Sequence, residues 1–160
     1  MTKYLTAQVC LNGHMVTSAV EHNPELMQDY CSKCGAKTIT NCPNCNAPIR
    51  GELYDDEIAI IGFTPTLDSY CVKCGMPYPW TTSALESATL MIREDSELSE
   101  IERRNLEEAL PDIISETPRT KLASIRIKKA LLTAGEFTAE ALRQFVIDFG
   151  CELAKKSLGF

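Results

Sequence analysis

Eight side chains in the first 75 positions have the types and spacing of metal ligands, in four clusters: Cys10-x3-His14, Cys31-x2-Cys34, Cys42-x2-Cys45 and Cys71-x2-Cys74. Thiolate sulfur and imidazole nitrogen are the ligands that structural zinc takes, four to an ion in a closed tetrahedron. Seven cysteines and one histidine therefore provide for two closed sites, two Zn2+ per chain. The turn chemistry agrees. Two residues between paired cysteines let a tight turn aim both sulfurs at one point while its backbone N–H groups donate to the thiolates. The position after the second cysteine needs a positive φ, which Gly35 and Gly75 accept freely and Asn46 tolerates better than most residues. Pro43 fixes φ inside the third turn, and Gly13 loosens the longer loop before His14.

Two pairings of the clusters exist. In the sequential one, Cys10, His14, Cys31 and Cys34 hold one ion, and Cys42, Cys45, Cys71 and Cys74 hold the other. In the crossed one, as in RING-type folds, the first cluster joins the third and the second joins the fourth. RING patterns leave only two or three residues between the middle clusters. Here seven separate Cys34 from Cys42, enough to leave one ribbon and begin another, so sequential pairing is favoured.

Other chemistries fit the cysteines less well. A thioredoxin-type dithiol needs a βαβ surround and an active cysteine at a helix N-terminus, and neither is visible. Iron would suit the four-thiolate site, whose ligand set is that of rubredoxin; zinc, redox-inert and available, is the default. Catalytic zinc needs an open position and a nearby base. Eight ligands for two ions leave no vacancy, and His22, the one spare histidine, is read as a surface residue beside the Asn23-Pro24 turn.

The elements that must hold these ligands are short. Thr38–Thr40, Ala47–Gly51 and Glu57–Phe63 read as strands beside the turns, a zinc-ribbon pattern, and Pro24–Tyr30 as one or two helical turns. A module of about 80 residues with such strands buries little apolar surface, so metal binding must supply much of its folding energy.

Composition changes near residues 80–83. Residues 1–80 hold seven of the eight cysteines and six of the eight prolines, whereas residues 81–160 are rich in Leu, Ile, Ala, Glu, Lys and Arg. The expected fold is a small metal-stabilised α+β chain: tandem zinc ribbons of short β-hairpins over 1–80, then a small α-helical bundle over 81–160. Capping boxes at Ser83–Glu86 and Ser99–Glu102 predict helices over Ala84–Asp95 and Glu100–Leu110, the second broken before Pro111. Thr117 and Pro118 predict a third helix reaching Ala134 and closed by Gly135. Thr138 caps a fourth running to Ser157, whose stripe is Leu142, Phe145, Val146, Phe149 and Leu153, broadened by Ile147 and Cys151. Packing within a bundle is the expected use of that stripe; a partner groove or dimer contact is the alternative. Cys151 is expected to be a buried, inert thiol.

Charge restricts the partners. The formal net charge is -6; residues 1–80 carry five basic and eight acidic side chains, residues 81–160 eleven and fourteen. Bound thiolates add negative charge. A chain this acidic gains little from counterion release on nucleic acid unless it has a local basic patch. One exists in the predicted third helix, with Arg119, Lys121, Arg126, Lys128 and Lys129 and no acidic residue, while Glu94–Glu116 holds nine acidic and two basic residues. No aromatic interleaves the basic residues, so base stacking lacks a platform, and an intramolecular match between the two helices is the plainer expectation. The N-terminal residues are too polar for a signal peptide, and no apolar run approaches the ~20 residues of a membrane span. Paired thiolate knuckles in such a chain indicate a reducing, cytoplasmic setting and no membrane partner.

The stretches Val9–His14, Tyr30–Gly35, Asn41–Cys45 with Pro48–Gly51, and Tyr70–Gly75 with Pro77-Tyr-Pro-Trp80 resemble an uncharacterised bacterial family with two N-terminal zinc ribbons and a helical tail. The resemblance covers nearly the whole chain and implies two zinc ions and a bacterial cytoplasmic origin. It brings no catalytic residue. Trp80 is expected to pack on the second ribbon and fix the start of the first helix, with ligand stacking as the alternative.

Function is read first as a non-enzymatic adaptor, structural zinc ribbons with a helical bundle for protein–protein interaction or self-association. Nucleic-acid binding is second, through Lys33, Lys37, Arg50, Lys73 and the basic third helix. Catalysis is third, since no nucleophile–base pair, phosphate loop or metalloprotease helix is visible.

Overall fold

Leu5, Ala7 and Val9 occupy alternate positions near the N-terminus and are all buried, the period of a chain with one face on a core. They lie on β1 (Lys3–Thr6), the link at Ala7, and β2 (Gln8–Cys10). β2 is the centre of a three-stranded antiparallel sheet between β3 (Met15–Thr17) and β4 (Thr38–Ile39), with Val9 opposite Met15 and Ile39. β1 instead pairs antiparallel with β5 (Arg50–Tyr54), Lys3 opposite Tyr54 and Thr6 opposite Arg50. A computed structural model, describing residues 1–160, divides the chain into two compact units, 1–82 and 83–160.

The β1–β5 pairing interlaces the two ribbons, because β1 precedes the first ligand while β5 lies between the two cysteine pairs of the second set. Ala7 N–H donates to Ile49 O at 2.9 Å and Glu52 N–H to Ser18 O at 2.9 Å. Gly51 is required at that crossing, since a Cβ there would lie 1.9 Å from the Ser18 carbonyl oxygen. Ala7, Val9, Ile49, Tyr78 and Trp80 cluster with Cys42 and Cys71, so two candidate ligands form part of the core that a unit this small can build.

Several strand expectations shift. The Ala47–Gly51 strand begins only at Arg50 and runs on to Tyr54. Glu57–Phe63 forms no strand: Ile58 and Ile61 are exposed, and Gly62 takes φ +80. Its β-branched residues favour extended backbone, but a strand also needs an edge to pair with and a face to bury. Helical turns at Pro24–Tyr30 reduce to one 3-10 turn, Pro24–Leu26, where Asn23 makes no side-chain cap.

The helices are α1 (Pro79–Glu94), α2 (Glu100–Ile114), α3 (Thr120–Thr133), α4 (Glu136–Phe149) and α5 (Glu152–Leu158). In the second unit Leu106, Leu110, Ile113, Ile127, Leu142 and Val146 are buried. Ser99 and Glu102 form the expected capping box, Glu102 N–H donating to Ser99 Oγ at 3.2 Å and Ser99 N–H to Glu102 Oε2 at 2.8 Å.

Four helix expectations are corrected. α1 starts five residues before Ala84, because Pro79 takes the first helical position and the Thr81 and Thr82 amides already donate to Tyr78 O; Ser83 is thus inside the helix. α2 continues through Pro111 to Ile114, anchored there by the burial of Ile113 and Ile114. Regular α3 begins at Thr120; ahead of it Thr117 Oγ1 accepts from Arg119 N–H at 3.1 Å and Thr120 Oγ1 accepts from Thr117 N–H at 2.8 Å, so the threonine cap holds a tight first turn. Gly135 keeps negative φ and caps α4, its N–H donating to Asp95 Oδ2 at 2.9 Å; the left-handed terminator expected there is not formed.

The long fourth helix is two. Its stripe is buried at Leu142, Phe145 and Val146, but Gly150 turns extended (φ -64, ψ 141) and Cys151, extended as well, stands at the N-cap of α5. Cys151 N–H donates to Ile113 O at 2.8 Å, tying the break to the end of α2. Thr138 is buried within α4 and caps nothing, Ile147 is exposed, and Cys151 is only half-buried. No helix is long and apolar enough to cross a membrane.

Candidate metal centres

Three of the four clusters are built alike. The first cysteine of each pair donates its N–H to the residue five positions on, Cys31 to Ala36, Cys42 to Ala47 and Cys71 to Met76, all at 2.8–2.9 Å. The residue after the second cysteine returns a bond to the first: Gly35, Asn46 and Gly75 donate to the carbonyls of Cys31, Cys42 and Cys71 at 2.8 Å. Those three residues carry φ of 72, 62 and 74, the left-handed backbone that the sequence requires there. Single bridges close the knuckles, Tyr30 with Lys37, Asn41 with Pro48 and Tyr70 with Pro77. Amides aim at sulfur as the turn chemistry demands: Lys33 N–H to Cys31 and Lys73 N–H to Cys71, both at 3.4 Å.

The remaining cluster, Cys10-x3-His14, is a hairpin loop. Cys10 ends β2, His14 precedes β3, and His14 N–H donates to Cys10 Sγ at 3.3 Å. Gly13 takes φ +89 and lies against Trp80; a Cβ on it would be 3.0 Å from Trp80 Cβ and 3.3 Å from Cγ. Trp80 itself is buried, stacked on Tyr78 at 4.6 Å between ring centroids, with its indole N–H donating to Asp68 O at 3.0 Å. It therefore packs on both ribbons, and the ring has no free face for a stacked ligand.

The ligands gather as the sequential pairing requires. Cys10, His14, Cys31 and Cys34 form one cluster and Cys42, Cys45, Cys71 and Cys74 the other, the donor atoms of each within 4.8 Å of one another. Cys10 Sγ lies 3.7 Å from Cys34 Sγ, and His14 Nδ1 lies 3.6 Å from both Cys10 and Cys31 sulfurs. In the second cluster Cys42–Cys74 and Cys45–Cys71 sulfurs are 3.9 and 3.6 Å apart. A tetrahedral ion with sulfur at ~2.3 Å and nitrogen at ~2.0 Å implies edges of about 3.8 Å for S···S and 3.5–3.6 Å for S···N. The donor set fits that ion. A disulfide needs ~2.05 Å between sulfurs, and all eight cysteines are free.

Electrostatics argue the same way. The Ala36 amide and the Asn12 side chain hold the Cys34 thiol down to about 6, and the Cys74 and Lys73 amides do the same for Cys71, also about 6. Cys45 is pushed up to about 12: the Ala47 amide favours its thiolate, but desolvation and the neighbouring sulfurs outweigh it. Burial likewise pushes Cys10 up. Each cluster thus holds at least one thiol whose surroundings favour the thiolate and one whose surroundings oppose it, and a bound cation would favour the thiolate of both.

Two supporting residues escaped the sequence reading. Asn12 Nδ2 donates to Cys34 Sγ at 3.4 Å, and in the second cluster the Met76 amide together with the Asn44 side chain holds the Cys74 thiol below its ordinary value. An asparagine inside a ligand loop was the available signal, because a side-chain amide there reaches the opposite knuckle. His22 is exposed and meets the Tyr54 ring edge-on. Lys33, Lys37 and Lys73 are exposed, whereas Arg50 pairs with Asp68 at 3.1 Å and lies over the Tyr4 ring. In the second unit, Arg119 pairs with Asp112 and Arg126 with Glu108, so the intramolecular match of α2 and α3 accounts for two of the five basic residues.

The bacterial family described as "Uncharacterized protein conserved in bacteria" (DUF2321) matches residues 3–158, both ligand clusters and all five helices included. The chain belongs to that family. No curated protein and no solved structure matches it.

Proposed function

We propose that this protein is a non-enzymatic, zinc-binding adaptor: two structural zinc ions build the N-terminal unit, and the helical unit binds a protein partner. One observation carries the reading. Each cluster supplies four donors at tetrahedral spacing, so an ion there has no protein-free coordination position at which to activate water. Two of those donors, Cys42 and Cys71, sit in the apolar core, where a metal serves folding. The second unit has no metal-ligating cluster and exposes large apolar residues on its helices, Leu122, Leu132 and Phe137 among them. Leu122 and Leu132 share the outer face of α3 with Ile125, and a contiguous exposed apolar patch, unlike scattered side chains, marks an interaction surface.

X-ray absorption at the zinc edge, with metal analysis of protein purified under reducing conditions, tests this. Two zinc ions per chain with only sulfur and nitrogen in the coordination sphere are expected. A water oxygen on either ion, or one ion or none per chain, overturns it. Iron in the second site would keep the architecture and change the metal.

Nucleic-acid binding is the second reading, supported by the exposed Lys33, Lys37 and Lys73 at the knuckles and opposed by the net charge of -6. Affinity for DNA or RNA that falls steeply with salt would favour it.

A further inference from the structure

α3 is apolar on two sides. Ala123, Ile127 and Ala130 face the core and are buried. Leu122, Ile125 and Leu132 are 48, 53 and 84 % exposed. These three fall at i, i+3 and i+10, a single stripe along the outer face in which Lys129 fills the i+7 position. A soluble helix usually spends that face on charge.

The stripe borders a groove between α2 and α3. Leu122, Ile125 and Lys129 of α3 line it together with Asn105 of α2, over buried Leu106 and Ala130, enclosing about 240 Å3. A second hollow of about 190 Å3 shares Leu122 and Arg126 and continues toward Arg119. From Arg119 to Ala130 the two span about 16 Å of α3, three turns at 1.5 Å per residue.

Its unpaired charge is predominantly positive. On the α2 bank, Glu108 is taken by Arg126 and Asp112 by Arg119; Glu102, hydrogen-bonded by the neutral Ser99 N–H and Thr133 hydroxyl, is the one lining carboxylate without a cationic partner. Lys121, Lys128 and Lys129 are exposed, make no ion pair within the chain, and each stands one, three or four residues from a member of the stripe.

We infer that the α2–α3 groove is the partner-binding surface of this protein and that its occupant is an acidic amphipathic helix. Leucine-like anchors would fill the two hollows, and flanking Asp or Glu would meet the three lysines. The inference rests on the adaptor reading and names the partner class. A flat anionic membrane fits poorly, since the site is concave and one bank carries Glu102 and Glu108. Nucleic acid fits poorly as well, because aliphatic side chains occupy the centre where stacking or hydrogen-bonding groups would stand.

The test uses the full zinc-loaded chain and a labelled synthetic helix of about 15 residues, with leucines along one face flanked by glutamates. A second peptide carries lysine for every glutamate. Saturable micromolar binding of the acidic peptide is expected, weakened by salt, with amide shift changes confined to α2 and α3. Leu122→Ser with Ile125→Ser should cost at least about tenfold in affinity. Lys128→Glu with Lys129→Glu should weaken the acidic peptide and strengthen the basic one. All four side chains are exposed, so the fold should survive, which thermal melts will verify. No binding at about 1 mM, or equal binding of the two peptides, overturns the inference. Shift changes confined to α1 and α4 would remove this groove and leave the adaptor reading standing, whereas water on the zinc would remove the adaptor reading whatever the peptides do. Anionic vesicles and duplex DNA serve as parallel probes; tighter binding to either, lost in the lysine variants, also overturns it.

Discussion

Replacing Gly13 or Gly35 by alanine separates two costs at the same metal site. Both glycines take positive φ, 89 and 72, so each alanine suffers left-handed strain of about 1–2 kcal/mol. Around Gly35 a Cβ meets open space, whereas at Gly13 it would lie 3.0 Å from Trp80 Cβ. Trp80 cannot retreat cheaply, being stacked on Tyr78 and held by its indole N–H on Asp68 O. Overpacking against a fixed ring costs about 1–3 kcal/mol more. Metal binding and folding are linked, so strain in the bound state reduces apparent metal affinity by the same free energy. Gly35→Ala should therefore weaken the first site by roughly 5- to 30-fold, and Gly13→Ala by a further 5- to 160-fold. Competition with a chromogenic chelator under reducing conditions measures this, and Trp80, the one tryptophan, reports on its own surroundings by fluorescence. Equal weakening by the two variants, or a milder effect at Gly13, would refute the contact argument.

Complete chelation should collapse the dispersed amide spectrum of residues 1–82, whose core includes Cys42 and Cys71, while residues 83–160 stay dispersed; dispersion retained in the first unit would contradict a metal-built core. Asp95 gives a pH dependence: burial raises its carboxyl, but bonds from Thr138, Gly135, Glu97 and Leu98 outweigh burial and hold it below the usual range. A depressed carboxylate stabilises the fold above its unfolded value near 4 and loses that contribution as pH falls through its folded value. Thermal melts of the helical unit should decline below about pH 4, and Asp95→Asn should cost about 1–3 kcal/mol at neutral pH and flatten the decline; an unchanged acid profile in that variant would count against it. Gly150→Ala would put a Cβ 2.4 Å from the Val146 carbonyl oxygen. About 1–3 kcal/mol of destabilisation is expected, a drop of several degrees in Tm, and a wild-type melting curve would show that α4 can run on through the break.

The two candidate metal clusters were legible because their information is local: two residues between cysteines and a tolerant residue after them dictate a knuckle, and the seven-residue gap before Cys42 pointed to sequential pairing. The β1–β5 ladder was not, since nothing near Lys3–Thr6 names a partner some 50 residues away; that choice is made by burial of Leu5, Ala7 and Ile49. Glu57–Phe63 shows the converse, strong β propensity with no edge to use. In the helical unit, local stop and start signals lost to packing. Pro111 failed to end α2 because burial of Ile113 and Ile114 favours one more turn, and the break at Gly150 follows from a distant acceptor, Ile113 O. The capping box at Ser99 held because both of its bonds lie within four residues. The one at Ser83 did not form, since Pro79 had already opened the helix.

Three knuckles with one hydrogen-bonding plan have a consequence for assembly. Before any strands have paired, the turns at Cys31, Cys42 and Cys71 present the same pair of sulfurs, and any two of them could make a four-sulfur cage for a metal ion. Only His14 is distinctive, and it contributes a single nitrogen. The right choice is therefore enforced late, by the ladders that bring β2 to β4 and β1 to β5, and a chain refolding around scarce metal must shed ions from mismatched cages before it matures.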